Sequence, residues 1–151
     1  MSIIKKITST HHMGAGPVFI RLFIGLIFMA HGAQKLFGWF DGPGLEGTTQ
    51  MMVNLGVEPA SIMALACASA EFFGGLLLLV GFLTRIASLA LIVNMLVAVF
   101  AVHLSRGFFI SNGGYEFALL LLICALAYLI SGAGRFSFDY SISQYCLSRW
   151  R

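Results

Sequence analysis

Charge is what this sequence has least of. Asp, Glu, Lys and Arg make up 10% of its 151 residues, against about 25% in an ordinary soluble domain, and this excludes a water-soluble globule with a charged skin. The nine basic and six acidic residues leave a net charge of +3. The basic ones are scattered and form no clustered face, which excludes nucleic acid as a partner. The three cysteines, Cys67, Cys124 and Cys146, show no CxxC or other paired spacing, so no disulfide framework is expected. No i, i+3 or i, i+4 pair of ligand-type residues recurs, so no metal centre is expected either. The adjacent His11 and His12 would point to different sides of a helix and read as part of a solvated tail. There is no flavin, haem or iron–sulfur motif. The first apolar run is expected to be retained as a helix and not removed as a leader, since it is too long and ends in Gln34 and Lys35, with bulky Trp39 and Phe40 behind them.

Apolar residues fill the space left, at 59% of the chain. The organising stretch is Pro17 to Phe40. At ~1.5 Å per residue it is long enough to cross a ~30 Å hydrocarbon layer. It nevertheless carries Arg21, His31, Gln34 and Lys35. On a helical wheel Arg21, Phe28, His31 and Lys35 fall on one stripe, and a polar stripe inside a membrane needs a partner in protein.

The whole pattern predicts an all-α, polytopic membrane protein, a four-transmembrane-helix bundle with spans at about 17–38, 59–81, 84–104 and 115–131. Residues 1–16 and 135–151 are expected as tails. The connection 39–58 is long, and Leu45, Met52 and Leu55 can share one face of a short amphipathic helix lying at the interface. Lys5, Lys6, Arg85, Arg135, Arg149 and Arg151 fall on the side that holds both termini, whereas the other side carries only Arg106, with Lys35 nearby, and holds Asp41, Glu46 and Glu58. Both termini are therefore expected in the cytoplasm.

With that orientation, sequence positions become depths. His31 lies ~20 Å and Lys35 ~27 Å above the inner edge, and Glu71, descending in the second span, lies ~18 Å below the outer edge. The third span carries Asn94 near its middle and His103 at its outer end, and the fourth starts with Glu116. Four spans thus deliver His31, Gln34, Lys35, His103 and Glu116 to the outer half, with Glu71 beneath. A charge at the bilayer centre costs ~2.5 to 3.5 kcal/mol, so these groups are expected to meet each other or water. Two readings stand. Lys35 and His31 pair with Glu116 and Glu71 to fix bundle packing, or the cluster forms a polar pocket that binds a small molecule or exchanges protons. Histidine ordinarily titrates near neutral pH, which suits proton-coupled redox chemistry at the pocket. Arg21 reads as snorkelling or locally paired, and Cys67 and Cys124 as small packing residues.

The order Arg21, His31-Gly32, Lys35, then Glu71-Phe-Phe-Gly-Gly, Gly81, Thr84-Arg85, His103, Asn112-Gly-Gly-Tyr-Glu116, and Gly132-Ala-Gly-Arg135-Phe-Ser137-Phe-Asp139 resembles the DoxX family of small bacterial membrane proteins over about residues 17 to 140. The resemblance implies four helices in the bacterial inner membrane and a link to electron transfer. It suggests a quinone-linked oxidoreductase subunit or redox accessory protein. In that reading His31, Glu71, His103 and Glu116 are the catalytic candidates. Gln34, Lys35 and Asn94 bind ligand, quinone is the cofactor, and electrons come from a partner protein or substrate. Lipid is the surrounding partner, with a redox protein or a second copy as further ones. The rival reading is a non-enzymatic binding, transport or assembly module. The lack of an evident inverted repeat weighs against an autonomous transporter.

Overall fold

The computed structural model describes residues 16–148. The expected N-terminal tail with Lys5, Lys6, His11 and His12, and the terminal Arg149 and Arg151, lie outside the described residues. Helix α1 spans Gly16–Phe37, α2 Gly44–Asn54, α3 Ala60–Val80, α4 Thr84–Val97, α5 Glu116–Ser131 and α6 Phe138–Ser148, and no strand occurs among the described residues. Past Val97 the backbone widens into a π-turn over Ala98–His103 and then tightens into a 3-10 turn over Leu104–Arg106. Three helical segments, Gly16–Phe37, Ala60–Val80 and Thr84–Arg106, are long and apolar enough to cross a membrane. The 16-residue α5 is apolar but shorter.

The long helices form because their apolar positions are continuous, and α3 shows how such a run is stopped. Helix α3 ends at Gly81, whose φ of 71° is left-handed. Its amide donates to Leu78 O at 3.2 Å and the Phe82 amide to Leu77 O at 3.0 Å, the paired bonds of a Schellman stop.

Helices α1 and α3 run antiparallel and interlock along their length. Glycine makes this possible. A Cβ on Gly32 would run into the backbone of Phe72, and one on Gly75 would sit 2.6 Å from Met29 N. Without side chains at these points the two backbones approach closely enough to gain dispersion contacts, which drive helix association where lipid removes the hydrophobic incentive. Helix α4 packs beside α3, and α5 beside α4. The seam between α5 and α1 is the loosest and is bridged by long side chains.

Phe28, Leu78, Leu91 and Tyr128 fill the middle of the bundle. Large apolar side chains such as Phe23, Ile62, Val93 and Ile130 point outward from all four long helices. In water such a surface would be an association hazard, whereas in lipid it is the proper exterior. Helix α2 folds over one end of the bundle. It buries Thr48 and Met52, and Met52 packs with Ala60 and Ala64 of α3.

At the opposite end the chain beyond α5, expected as a tail, turns back and docks. The Asp139 side chain is 1% exposed. It accepts from the amides of Leu83 at 2.9 Å and Thr84 at 3.0 Å, capping the free N–H groups at the start of α4. Arg21, expected to snorkel or pair locally, is likewise buried. Its guanidinium donates to Ala133 O at 2.6 Å and Phe136 O at 2.7 Å, carbonyls more than 110 residues away. No nearby sequence signal marks those partners, because they are main-chain oxygens of a turn.

Candidate functional site

The other end of the bundle holds most of the titratable side chains. Lys35, one turn from the end of α1, places Nζ 2.5 Å from Glu71 Oε1 of α3. Asn94 of α4 donates through Nδ2 to the same oxygen at 2.9 Å and lies 3.4 Å from the Cys67 carbonyl. Three helices are thereby tied at one carboxylate. The Glu71 side chain is 3% exposed and that of Lys35 24%, so the pair bridges from protein interior toward the bundle end. Cys67, one turn before Glu71, has Sγ 3.9 Å from Lys35 Nζ. Glu71 Oε2 is buried and has no hydrogen-bond partner among the described residues. Such an orphan oxygen carries a desolvation cost of about 1–3 kcal/mol that a ligand or water would offset.

Beside this carboxylate lies a cavity of about 100 Å³ whose walls include Phe28, His31, Lys35, Glu71, His103 and Phe117. That is room for several waters or a small planar ring. The His31 ring lies against Phe117 with centroids 5.9 Å apart. His103 Nδ1 lies 2.7 Å from Gly113 O. A carbonyl only accepts, so Nδ1 carries a proton and Nε2 is the ring nitrogen left for a ligand or a proton.

The π-turn explains how His103 reaches the cavity at all. Nine residues of plain α-helix separate Asn94 from His103 by about 180° around the axis, on opposite faces. One extra residue absorbed in a widened turn reduces this to about 80°, so both can serve the bundle interior.

Of the seven expected site residues, the structure gathers His31, Lys35, Glu71 and His103 around one cavity, with Asn94 bonded to Glu71 behind its wall. Two go elsewhere. Gln34 Nε2 lies 3.3 Å from Phe40 O and holds the loop after α1. Glu116 Oε1 accepts from the Ile110 amide at 2.7 Å, bracing the 104–114 connection without lining the cavity. A carboxylate at the first position of a helix can reach back to loop amides as readily as inward, and sequence position does not separate the two. Cys67, Phe28 and Phe117 were not singled out for the site. Cys67 stands one helical turn from Glu71, a spacing that could have flagged it. Among the described residues, no group of three or more His, Cys, Asp or Glu could hold a metal ion.

The family profile described as DoxX matches residues 16–104, which takes in α1 through the π-turn and includes Lys35, Glu71, Asn94 and His103. The chain belongs to the DoxX family. Among DoxX-type relatives, a Bacillus subtilis (strain 168) protein described as "Putative oxidoreductase CatD" is 31% identical over 124 residues, covering 82% of this chain and 84% of its own. An uncharacterized membrane protein of Mycobacterium tuberculosis is 32% identical over 137 residues, covering 83% and 80%. A Haemophilus influenzae protein is 34% identical over 125 residues, covering 80% and 86%. No solved structure matches the chain. Family membership, the oxidoreductase name of one relative and the apolar helices support a general redox-related role at a membrane.

Proposed function

We propose that this DoxX protein is a four-span component of the bacterial inner membrane with both termini in the cytoplasm, and that its cavity seats a quinone head group in the outer half of the bilayer. Helix α5, at ~24 Å, is short for the fourth crossing, and its glycine-rich flanks complete it. Arg85 and Arg135 lie at the Arg21 end, which this reading makes the cytoplasmic one.

The observation that carries the proposal is the largely buried Lys35–Glu71–Asn94 network, in which one Glu71 oxygen is left without a partner, beside a cavity lined by Lys35, Glu71 and two histidines. The donor set suits a planar dicarbonyl. Lys35 keeps N–H groups beyond the one given to Glu71, Phe28 and Phe117 supply apolar walls, and Glu71 Oε2 is an acceptor for a hydroxyl. A bound quinone supplies two-electron, two-proton redox capacity. The protein's part is to orient the ring, to place the Lys35 charge where negative charge develops, and to pass protons through Glu71, His31 or His103 Nε2. Electrons come from a partner protein or substrate.

The test is equilibrium quinone binding to purified protein in lipid nanodiscs. Glu71→Gln and His31→Ala are expected to lose at least tenfold in affinity while accumulating as folded protein. Binding unchanged in both would reject the quinone site. Failure of both to insert or assemble would instead mark the cluster as a packing device.

A further inference from the structure

Resting on the quinone reading, we propose that the ligand is long-tailed and enters sideways from the lipid, with its alkyl or isoprenoid chain lying along the seam between α1 and α5. Two openings share that seam. One is the polar cavity already described, bounded on α1 by Phe28, His31 and Lys35 and on α5 by Phe117, Ala118 and Leu121. The other, of about 250 Å³, lies toward the Arg21 end and is bounded by Pro17 and Ile20 on α1 and by Ile123, Cys124, Ala127 and Tyr128 on α5.

Their chemistry divides as an amphiphile does. The first holds the Lys35–Glu71 pair and two histidines. The second has mostly apolar walls, because Tyr128 turns its hydroxyl to Pro17 O and Ser131, which also lines it, gives its own to Ala127 O. From His31 to Ile20 is eleven residues, ~16 Å along the axis, which is about half the hydrocarbon thickness and within reach of a membrane lipid's chain. The bundle leaves room for such a seat at this seam. Helices α1 and α3 are locked by glycine contacts, and α4 packs against both α3 and α5, whereas α1 and α5, neighbours in the ring, pack more loosely. An apolar groove facing lipid has no need of a polar ligand, but a chain tethered to a head group in the neighbouring cavity gains its burial intramolecularly. The occupant is therefore one molecule with a polar ring and a long apolar tail.

Ala127 and Ile20 stand on opposite walls of the second opening and are both exposed, so enlarging either fills the groove without entering the core. The probes are menadione, which has no tail, and menaquinone-4, which carries one, each titrated against the full chain in nanodiscs. Ala127→Trp and Ile20→Trp are compared with Leu126→Trp, an exposed position of α5 outside the groove. The groove variants should weaken menaquinone-4 by about tenfold, the effect of removing roughly two methylenes from their seat, and leave menadione unchanged. Leu126→Trp should change neither. Equal affinity of the groove variants and wild type for menaquinone-4, or equal loss of both probes, overturns the tail seat while leaving the head-group site standing. If wild type binds neither probe, the quinone reading falls and takes the tail seat with it.

Discussion

Removing Lys35 alone should do more harm than removing the ion pair entirely. Lys35→Met leaves Glu71, with a side chain 3% exposed, facing the interior with Asn94 as its remaining partner. Breaking a fully buried pair typically costs about 3–5 kcal/mol. The Lys35 side chain is 24% exposed, so solvent already screens part of the attraction, and the retained Asn94 bond softens the loss further. The expected cost is therefore about 2–3 kcal/mol. In Lys35→Met/Glu71→Leu the stranded charge and the orphan Oε2 both disappear, and stability should return to within about 1 kcal/mol of wild type. The assay is reversible unfolding in detergent micelles, read by helical circular dichroism for wild type, both single variants and the double variant, giving the coupling energy of the cycle. The double variant is expected to fold and to have lost quinone binding, which separates the pair's structural part from its functional one. A cost below about 0.5 kcal/mol for Lys35→Met, or single losses that simply add in the double variant, would refute the claim that the two side chains meet out of water.

The rest of the fold supports two further expectations. Asp139→Ala strands the amides of Leu83 and Thr84 at the start of α4 and should cost about 2–3 kcal/mol, with Asp139→Asn costing about 1, read in the same unfolding assay; a loss under about 0.5 kcal/mol for Asp139→Ala would mean the C-terminal segment does not dock there. Gly32→Ala should cost about 1–3 kcal/mol because its methyl meets the Phe72 backbone, whereas Gly74→Ala, whose methyl meets the Leu91 side chain and no backbone, at 3.1 Å, should cost less than about 1 kcal/mol; equal costs would deny the close α1–α3 approach.

The all-helical class was legible because apolar runs of twenty residues leave few alternatives. Periodicity put Arg21, His31 and Lys35 on one stripe, and the cost of a lone charge in lipid pointed to a partner for Glu71, but depth counting left Lys35 and Glu71 ~15 Å apart along the membrane normal, a gap the structure closes to an ion pair. What stayed hidden depended on geometry that local sequence does not encode. The π-turn changes the facing of His103 by one residue's rotation, and neither Ala98 nor Val99 announces it. Arg21 and Asp139 act on main-chain groups, and a backbone amide or carbonyl has no letter in the sequence. Glu116 and Gln34 were drawn into the cluster by depth alone, yet helix ends also have loops to hold, and the bonds to Ile110 N and Phe40 O occupy them. The docking of α6 was missed because the 135–151 stretch is less apolar than the spans, and its anchoring comes from polar bonds, the Asp139 carboxylate and amide at the α3–α4 turn and Arg21 on Phe136 O, and not from a hydrophobic face.

Photoaffinity labelling with an azido-quinone, followed by mass spectrometry of the cross-linked peptides, tests most directly whether the polar cavity is the ligand site. Saturable adducts are expected on the stretches around Phe28 to Lys35 and Phe117 to Leu121, suppressed by excess unlabelled quinone and lost in Glu71→Gln. Adducts spread over the lipid-facing side chains, insensitive to competitor and to that substitution, would contradict it.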